Sequence, residues 1–403
     1  MKILQINAVY RKGSTGRTCK ELSDYINGTE DSCYTVYAYG STDDKNTHRM
    51  SSSLDIRFHG FMSRLSGKQG YFSVASTKRL ISYIDKLKPD VVQLRNMHGN
   101  YISYPILLKY LADKDIPTVL TLHDCWFYTG KCCHYTVDGC YRWKDGCYKC
   151  PRLKKDNKSW FIDATPSMWR KKKELFEKIP RLAVVGVSDW ITSEAQKSYL
   201  SCAAILRRIY NWIDIDVFYP RNEAVAVRER MGLKNKKVIL GVSSFWDDSK
   251  GLGDFIRLSE LLSDEYVILL IGKLSPEVEL SKNVKHIPVT DSVNELAQYY
   301  SMADVFVTLS REESFGKVSA EALACGTPII CYDSTANPEL VGDGCGRVVD
   351  VGDIQAVSSA IKDLCNKDKS EISVVCRAYA EENFNKNDRI KDYISLYREL
   401  CSM

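Results

Sequence analysis

No run of about 18 apolar residues occurs anywhere in the 403-residue chain, which argues against a membrane-spanning helix. The N-terminal apolar stretch, Ile3–Ile6 ahead of Arg11 and Lys12, is too short for a signal peptide, so a cytoplasmic protein is expected. Charge of one sign is scarce as well. Lys+Arg 56 against Asp+Glu 51 leaves +5, too small an excess to indicate nucleic acid. Internal repeats and low-complexity tracts are missing. A composition of 44% hydrophobic and 27% charged residues excludes disordered and collagen-like chains. The length suits two or three domains.

Short β-rich runs alternate with helical segments nearly throughout. Lys2–Ala8, Ser32–Tyr39, Asp90–Leu94 and Thr118–Leu122 read as strands, separated by helices at Thr18–Ile26, Val74–Leu87 and Ile102–Asp113. After an interruption at 129–180 the rhythm resumes with Leu182–Val187, Val238–Val242, Val267–Ile271, Val305–Leu309 and Thr327–Cys331. Such alternation predicts α/β domains with parallel sheets. Two doubly wound, Rossmann-like domains are expected, residues 1–183 and 184–385, facing each other across a cleft. A last helix, 386–403, should carry Ile390, Tyr393, Ile394, Tyr397 and Leu400 on one face and pack back on the first domain. Ligands of such sheets bind beyond the carboxyl ends of the strands, so the loops there carry the functional information.

The most informative loop is Glu312-Glu313-Ser314-Phe315-Gly316-Lys317, continuing to Glu321. If a helix starts near Phe315-Gly316, its first amides favour an anion such as a diphosphate. A carboxylate beyond them can accept hydrogen bonds from sugar or ribose hydroxyls. The bland alternative is a capped amphipathic helix with two solvated acids.

From Ser310 to Ile330 this stretch resembles the nucleotide-sugar loop of family 4 glycosyltransferases, retaining enzymes of the GT-B fold. The resemblance extends to the Gly13–Gly16 turn, Pro89–Val92, Thr121–Asp124, Val187-Ser188, Asn211–Asp214 and Lys250-Gly251. It implies metal-independent transfer of a sugar from a nucleoside diphosphate sugar, with no catalytic cofactor. Carried over by residue, it implies that Glu313 holds a donor-sugar hydroxyl and Glu321 the ribose. Ser314, Phe315, Gly316 and Lys317 would line the donor, and Lys250 would neutralise the departing diphosphate. His123 would stand near the reacting carbon. The backbone of Gly13 and Gly16 would approach the diphosphate, beside Arg17. An arginine common in that family about five positions before Lys250 has no counterpart in Ser243–Asp248, so Arg17 or Lys317 is expected to complete the charge. The family implies a front-face mechanism without a covalent intermediate. Two other readings remain: a GT-B nucleotide-sugar epimerase, and a non-catalytic subunit that binds nucleotide sugars or glycans.

Six of the 15 cysteines fall between Cys125 and Cys150, in an insert at 125–151. Cys147-x-x-Cys150 has metal-ligand spacing, and Cys132 and Cys140 can complete a four-thiolate structural zinc site, with Cys133 or His134 as alternative ligands. Plain reduced thiols and an iron–sulfur or redox role stay open. Residues 152–181 carry ten basic and four acidic side chains, interleaved with Trp160, Phe161, Met168 and Trp169. This stretch reads either as a peripheral contact with an anionic membrane on its cytoplasmic face or as a solvated helix with its aromatics turned inward. A glycan or lipid-linked acceptor in surface polysaccharide synthesis is the expected partner, and nucleic acid is not expected.

Overall fold

The computed structural model describes all residues, Met1–Met403. The chain divides into two compact units, the first comprising Met1–Ile209 with Ile390–Met403, the second Tyr210–Arg389. The division falls beyond the expected boundary at 183/184, because the strands after it still pair with the first sheet.

In the first unit the strands are β1 (Lys2–Ile6), β2 (Ser32–Tyr37), β3 (Thr47–Arg49), β4 (Val91–Leu94), β5 (Thr118–Leu122), β6 (Leu182–Gly186) and β7 (Ile205–Arg208). They form one parallel sheet in the order β3-β2-β1-β4-β5-β6-β7. The helices are α1 (Gly13–Asn27), α2 (Ser53–Ser66), α3 (Val74–Leu87), α4 (Tyr104–Asp113), α5 (Thr165–Phe176) and α6 (Asp189–Gln196). Every residue of β4, β5 and β6 is buried, as expected for parallel strands covered on both faces.

The second unit holds β8 (Lys237–Phe245), β9 (Tyr266–Lys273), β10 (Val284–Ile287), β11 (Val305–Thr308), β12 (Ile329–Tyr332) and β13 (Gly346–Val349). Their order is β10-β9-β8-β11-β12-β13, again all parallel. Its helices are α7 (Ala224–Arg230), α8 (Leu252–Leu261), α9 (Val293–Met302), α10 (Lys317–Ala324), α11 (Ile354–Cys365) and α12 (Lys369–Phe384). The final helix, α13 (Lys386–Ser402), starts in the second unit and ends in the first. Its buried residues are Ile390, Tyr393, Leu396, Tyr397 and Leu400, so Leu396 takes the place expected for Ile394. Tyr397 donates to Gln93 Oε1 on β4 at 2.8 Å, and Gln93 Nε2 donates to Thr121 Oγ1 on β5 at 2.8 Å.

One loop expectation changes. The Gly13–Gly16 stretch is not a free turn but the first turn of α1. Gly16 packs closely there: a Cβ would lie 3.2 Å from Val9 Cγ2 and 3.3 Å from the Arg11 backbone nitrogen. Gly13 and Arg17 sit on either side of it in the same helix start.

Candidate active site

In both sheets the strand order reverses beside the first strand of the unit, between β1 and β4 and between β8 and β11. Loops leaving the carboxyl ends of such a pair diverge and open a crevice, which is where ligands of this architecture bind. In the second unit those loops carry Lys250 and Glu313.

Asp247 shapes the first loop by accepting the backbone N–H groups of Ser249 at 2.9 Å and Lys250 at 3.2 Å. Gly251 follows with φ +73°, and a Cβ there would stand 2.5 Å from the Leu309 carbonyl oxygen. Only glycine lets this turn lie against the end of β11. The two loops are joined by Arg311 N–H donating to Ser249 O at 3.0 Å. Across this junction Lys250 Nζ donates to Glu313 Oε1 at 2.5 Å and to Ser310 Oγ at 3.4 Å. Thr335 Oγ1 accepts the Glu313 backbone N–H at 2.8 Å, and Asn337 Nδ2 donates to Ser310 O at 2.9 Å. Burial works against a charge on Lys250, but Glu313 outweighs it and holds the ammonium's pKa above the ordinary lysine value.

Gly316, at φ +85°, caps α10, whose first amides lack intrahelical partners by construction. Lys317 is the first residue of that helix. Phe315 is buried and packs edge-on against Phe384, with ring centroids 5.5 Å apart. Glu321 lies over a turn further on. It is buried at 2% exposure and accepts from Tyr300 Oη at 3.0 Å. The loop joins the expected Ser314 to two residues that sequence reasoning passed over, Ser319 and Asn337. Ser314 Oγ, Ser319 Oγ and Asn337 Oδ1 are buried without a hydrogen-bond partner. Ser319 Oγ and Asn337 Oδ1 each lie 3.7 Å from the point where Gly316 would carry a Cβ. Unpaired buried polar atoms are costly, and three around one helix start make a cradle for a hydroxyl- or phosphate-bearing ligand. Isolated serines and an asparagine carry no sequence signal.

In the first unit, His123 follows β5 as expected. Its Nε2 lies 3.2 Å from Nη1 of Arg95, which follows β4 at the reversal point. Arg95 is 1% exposed, also donates to Thr18 Oγ1 at 3.2 Å, and keeps Nε and Nη2 without partners. A guanidinium only donates, so His123 Nε2 is an acceptor and the ring proton sits on Nδ1. Next to it, Asp124 accepts from Trp126 N–H at 2.9 Å and pairs with His98 Nε2 at 2.8 Å. Burial opposes a charge on His98, but Cys133 and Asp124 outweigh it and hold its pKa well above the ordinary histidine value.

Cys132, Cys140, Cys147 and Cys150 line one small cavity, whereas Cys133 turns to His98, 4.0 Å away. The basic-aromatic stretch divides differently from expectation. Met168, Trp169 and Lys172 on α5 are buried, and Lys172 Nζ donates to Trp126 O at 2.6 Å and Thr129 O at 3.1 Å. Trp160, Phe161 and Ile162 are exposed instead. They adjoin α2, where Phe61 meets Trp160 edge-on at 5.7 Å and Trp160 N–H donates to Arg64 O at 2.8 Å. On α2 itself, Leu54, Phe58, Phe61 and Leu65 are exposed, although their spacing is that of a single helical stripe. No helix is long and apolar enough to cross a membrane.

Two parallel Rossmann-like sheets, each with its own switch point, are the architecture of a GT-B protein. Residues 33–217 match the family model for Glycosyltransferase Family 4, and residues 226–383 match that for Glycosyl transferases group 1. The chain belongs to this glycosyltransferase family. It is 26% identical to spore coat protein SA of Bacillus subtilis over 54% of this chain and 64% of that relative. Among the first curated relatives the matched stretch spans 54% to 64% of their length. Among solved structures, sucrose-phosphate synthase from Thermosynechococcus elongatus has the same fold, at TM-score 0.74, 17% identity and coverage of 100% and 99% of the two chains. So does Anabaena HepE in complex with UDP, at TM-score 0.69, 15% identity and coverage of 99% and 100%.

Proposed function

We propose that this chain is a retaining glycosyltransferase that moves a sugar from a nucleoside diphosphate sugar to a glycan or lipid-linked acceptor in surface polysaccharide synthesis. The observation that carries the reading is the Lys250–Glu313 pair, set at a switch point beside a helix start with three uncommitted buried polar atoms. The solved neighbour HepE holds UDP, which supports a nucleotide donor.

In this reading Lys250 and the first amides of α10 take the diphosphate, where negative charge grows as the leaving group departs. Glu313 accepts from a donor-sugar hydroxyl and Glu321 from the ribose. The bond from the anomeric carbon to the diphosphate oxygen breaks, and the acceptor oxygen bonds to that carbon on the same face. The acceptor's proton passes to the departing phosphate oxygen. The protein contributes position and charge rather than a nucleophile. His123, held by Arg95, presents its Nδ1–H as a donor.

The acceptor surface follows from α2 and the Trp160–Ile162 segment. Leu54, Phe58, Phe61, Leu65 and Phe161 stand exposed beside Arg57, Arg64, Lys68, Lys154 and Lys158. Apolar side chains ringed by cations suit an anionic lipid surface. This surface keeps the 154–162 part of the expected 152–181 stretch, leaves out α5 and adds α2.

The test is a thermal-shift panel of nucleoside diphosphates and nucleotide sugars without metal, followed by transfer assays in EDTA. One nucleotide class should stabilise the protein, and the product should keep the donor's anomeric configuration by NMR. Loss of turnover in Glu313→Ala and Lys250→Ala, with the fold intact, is expected. Retained turnover in both would sink the site assignment. An inverted product would remove the mechanism, and sugar isomerisation without acceptor would favour the epimerase. Binding of nucleotide with no turnover on any acceptor would favour a binding subunit. Flotation with anionic liposomes, weakened in Phe58→Ser/Phe161→Ser, tests the lipid surface separately.

A further inference from the structure

Between the end of β5 and the start of α5, from His123 to Ala164, the chain forms no strand and no α-helix. It makes only one-turn 3-10 helices at Cys125–Phe127 and Arg142–Lys144. Irregular segments of such length are uncommon in compact domains unless something holds them. This one is well packed nonetheless: Trp126, Tyr128, Tyr135 and Trp143 are all buried within it.

At its centre lies a small cavity of about 20 Å³ whose lining includes Cys132, Cys140, Cys147 and Cys150. A space of roughly 10–15 Å³ is enough for a single water, so this one has the size of one small ligand. The four thiols, one buried and three partly exposed, are unlike the cysteines of the core. Cys19, Cys33 and Cys331 sit within helices and strands of the sheet packing. These four come from separate points of one irregular segment and line the same cavity. Cys132 and Cys150 are close enough to share a hydrogen bond. Gly130 donates its backbone N–H to Cys147 Sγ at 3.1 Å, the kind of bond that stabilises sulfur carrying negative charge.

The surrounding charge makes the same point. Lys131 is 2% exposed and Lys172 fully buried. Their hydrogen bonds go to carbonyls: Lys131 Nζ to Leu153 O at 2.8 Å, and Lys172 Nζ to Trp126 O and Thr129 O. Lys131 stands near Cys132 and Cys150 as well as Asp156 and Asp163, and Lys172 near Cys147 as well as Asp124. Buried cations are costly unless negative charge stands nearby. Four thiolates around a divalent ion, at a net charge of −2, would add to what these carboxylates supply.

We propose that Cys132, Cys140, Cys147 and Cys150 hold one zinc ion in a closed tetrahedral site that fixes the segment between β5 and α5. Each thiol gives up its proton to solvent as its sulfur bonds the metal, and no position is left for substrate. The ion fastens the segment that begins with His123 and Asp124, so its place is structural. Cys133 is not a ligand, since it faces His98 outside the cavity.

The decisive experiment is metal analysis of the full-length protein purified under reducing conditions without added metal, together with X-ray absorption. One zinc per chain is expected, with four sulfur neighbours at about 2.3 Å. Cobalt(II) exchanged into the wild-type protein should give the intense visible bands of a tetrahedral thiolate site, a readout that needs no variant to fold. Cys133→Ser should retain the full metal content, while Cys147→Ser and Cys150→Ser should lose most of it. Protein free of metal that takes up neither zinc nor cobalt would overturn the site. So would disulfides among the four cysteines under the same conditions. Iron with acid-labile sulfide would overturn the zinc assignment. None of these measurements depends on glycosyl transfer.

Discussion

Arg95 is the residue on which the first unit's chemistry turns. It is a buried guanidinium with two nitrogens unpaired, lying beside Tyr393 and Tyr397 and donating to His123. Because it cannot accept, it fixes His123 as the Nδ1–H tautomer. Nitrogen-15 NMR of labelled histidine should therefore find His123 Nε2 unprotonated in the wild type and both tautomers in Arg95→Leu. As a positioning residue, its loss should lower kcat by about 10–100-fold while donor KM moves little. Arg95→Lys should restore part of the rate. A tautomer unchanged by Arg95→Leu would refute the assignment. Lys250 makes a second test at this scale. Its folded pKa is raised, so its pairing stabilises the fold fully below the unfolded lysine value of about 10.4 and is lost only as pH climbs past it. Donor affinity should hence show no basic limb from Lys250 between pH 6 and about 9, and Lys250→Ala should lower kcat/KM by roughly 100–1,000-fold across that range. Both halves of this pair were legible from sequence, Glu313 within the motif running from Ser310 to Glu321 and Lys250 beside Gly251, although nothing local showed that the two would meet. Arg95 was not. One arginine among 56 basic residues acquires meaning only when burial and a neighbouring strand place it against His123.

Among the elements, α2 shows where periodicity misleads. Its apolar residues recur with helical spacing, which by itself suggests a face turned to the core, yet Leu54, Phe58, Phe61 and Leu65 point outward. The inward face is built instead from His59, Gly60 and Ser63. His59 anchors it: Gly70 N–H donates to Nε2 at 3.2 Å, leaving Nδ1–H for Ser73 Oγ at 2.9 Å. A second ring proton would face the Gly70 N–H. Burial accordingly depresses the His59 pKa to about 4. The unfolded chain takes up this proton near pH 6.5 and the folded one only near 4, so stability falls as pH is lowered through that window. The loss should be about 2 kcal/mol between pH 7 and pH 5. Urea unfolding at both pH values, with His59→Gln as the control, measures it. The two proteins should differ in stability by more at pH 7 than at pH 5, and parallel pH dependence would rule the coupling out. The α1 start shows the same limit of local reading. Gly13-Ser14-Thr15-Gly16 has the composition of a turn, but it forms the first turn of α1, with Gly16 packed closely against Val9.

At the scale of the whole molecule, strand alternation revealed the two α/β units, because each βαβ step is local in sequence. The boundary was less legible, since β6 and β7 extend the first sheet by pairing that no local pattern announces. The chain's last helix is the longest-range case. It leaves the second unit at Arg389 and covers the first sheet with Tyr393, Leu396, Tyr397 and Leu400. Its apolar face could be read from sequence, but not the partner of Tyr397, Gln93, which is 304 residues away. Gln93 is fully buried: its nitrogen donates to Thr121, and its oxygen accepts from Tyr397. Tyr397→Phe keeps the ring and removes this donor, leaving a buried amide oxygen short of a partner, at a cost of about 1–3 kcal/mol. Hydrogen exchange should therefore quicken at the β4 and β5 amides by roughly 5–150-fold, while β8 and β11 stay as protected as in the wild type. Equal acceleration in both sheets would refute this local role. Confinement to the first would establish that residues 390–403 complete the core of the first unit and support the strands that carry Arg95 and His123.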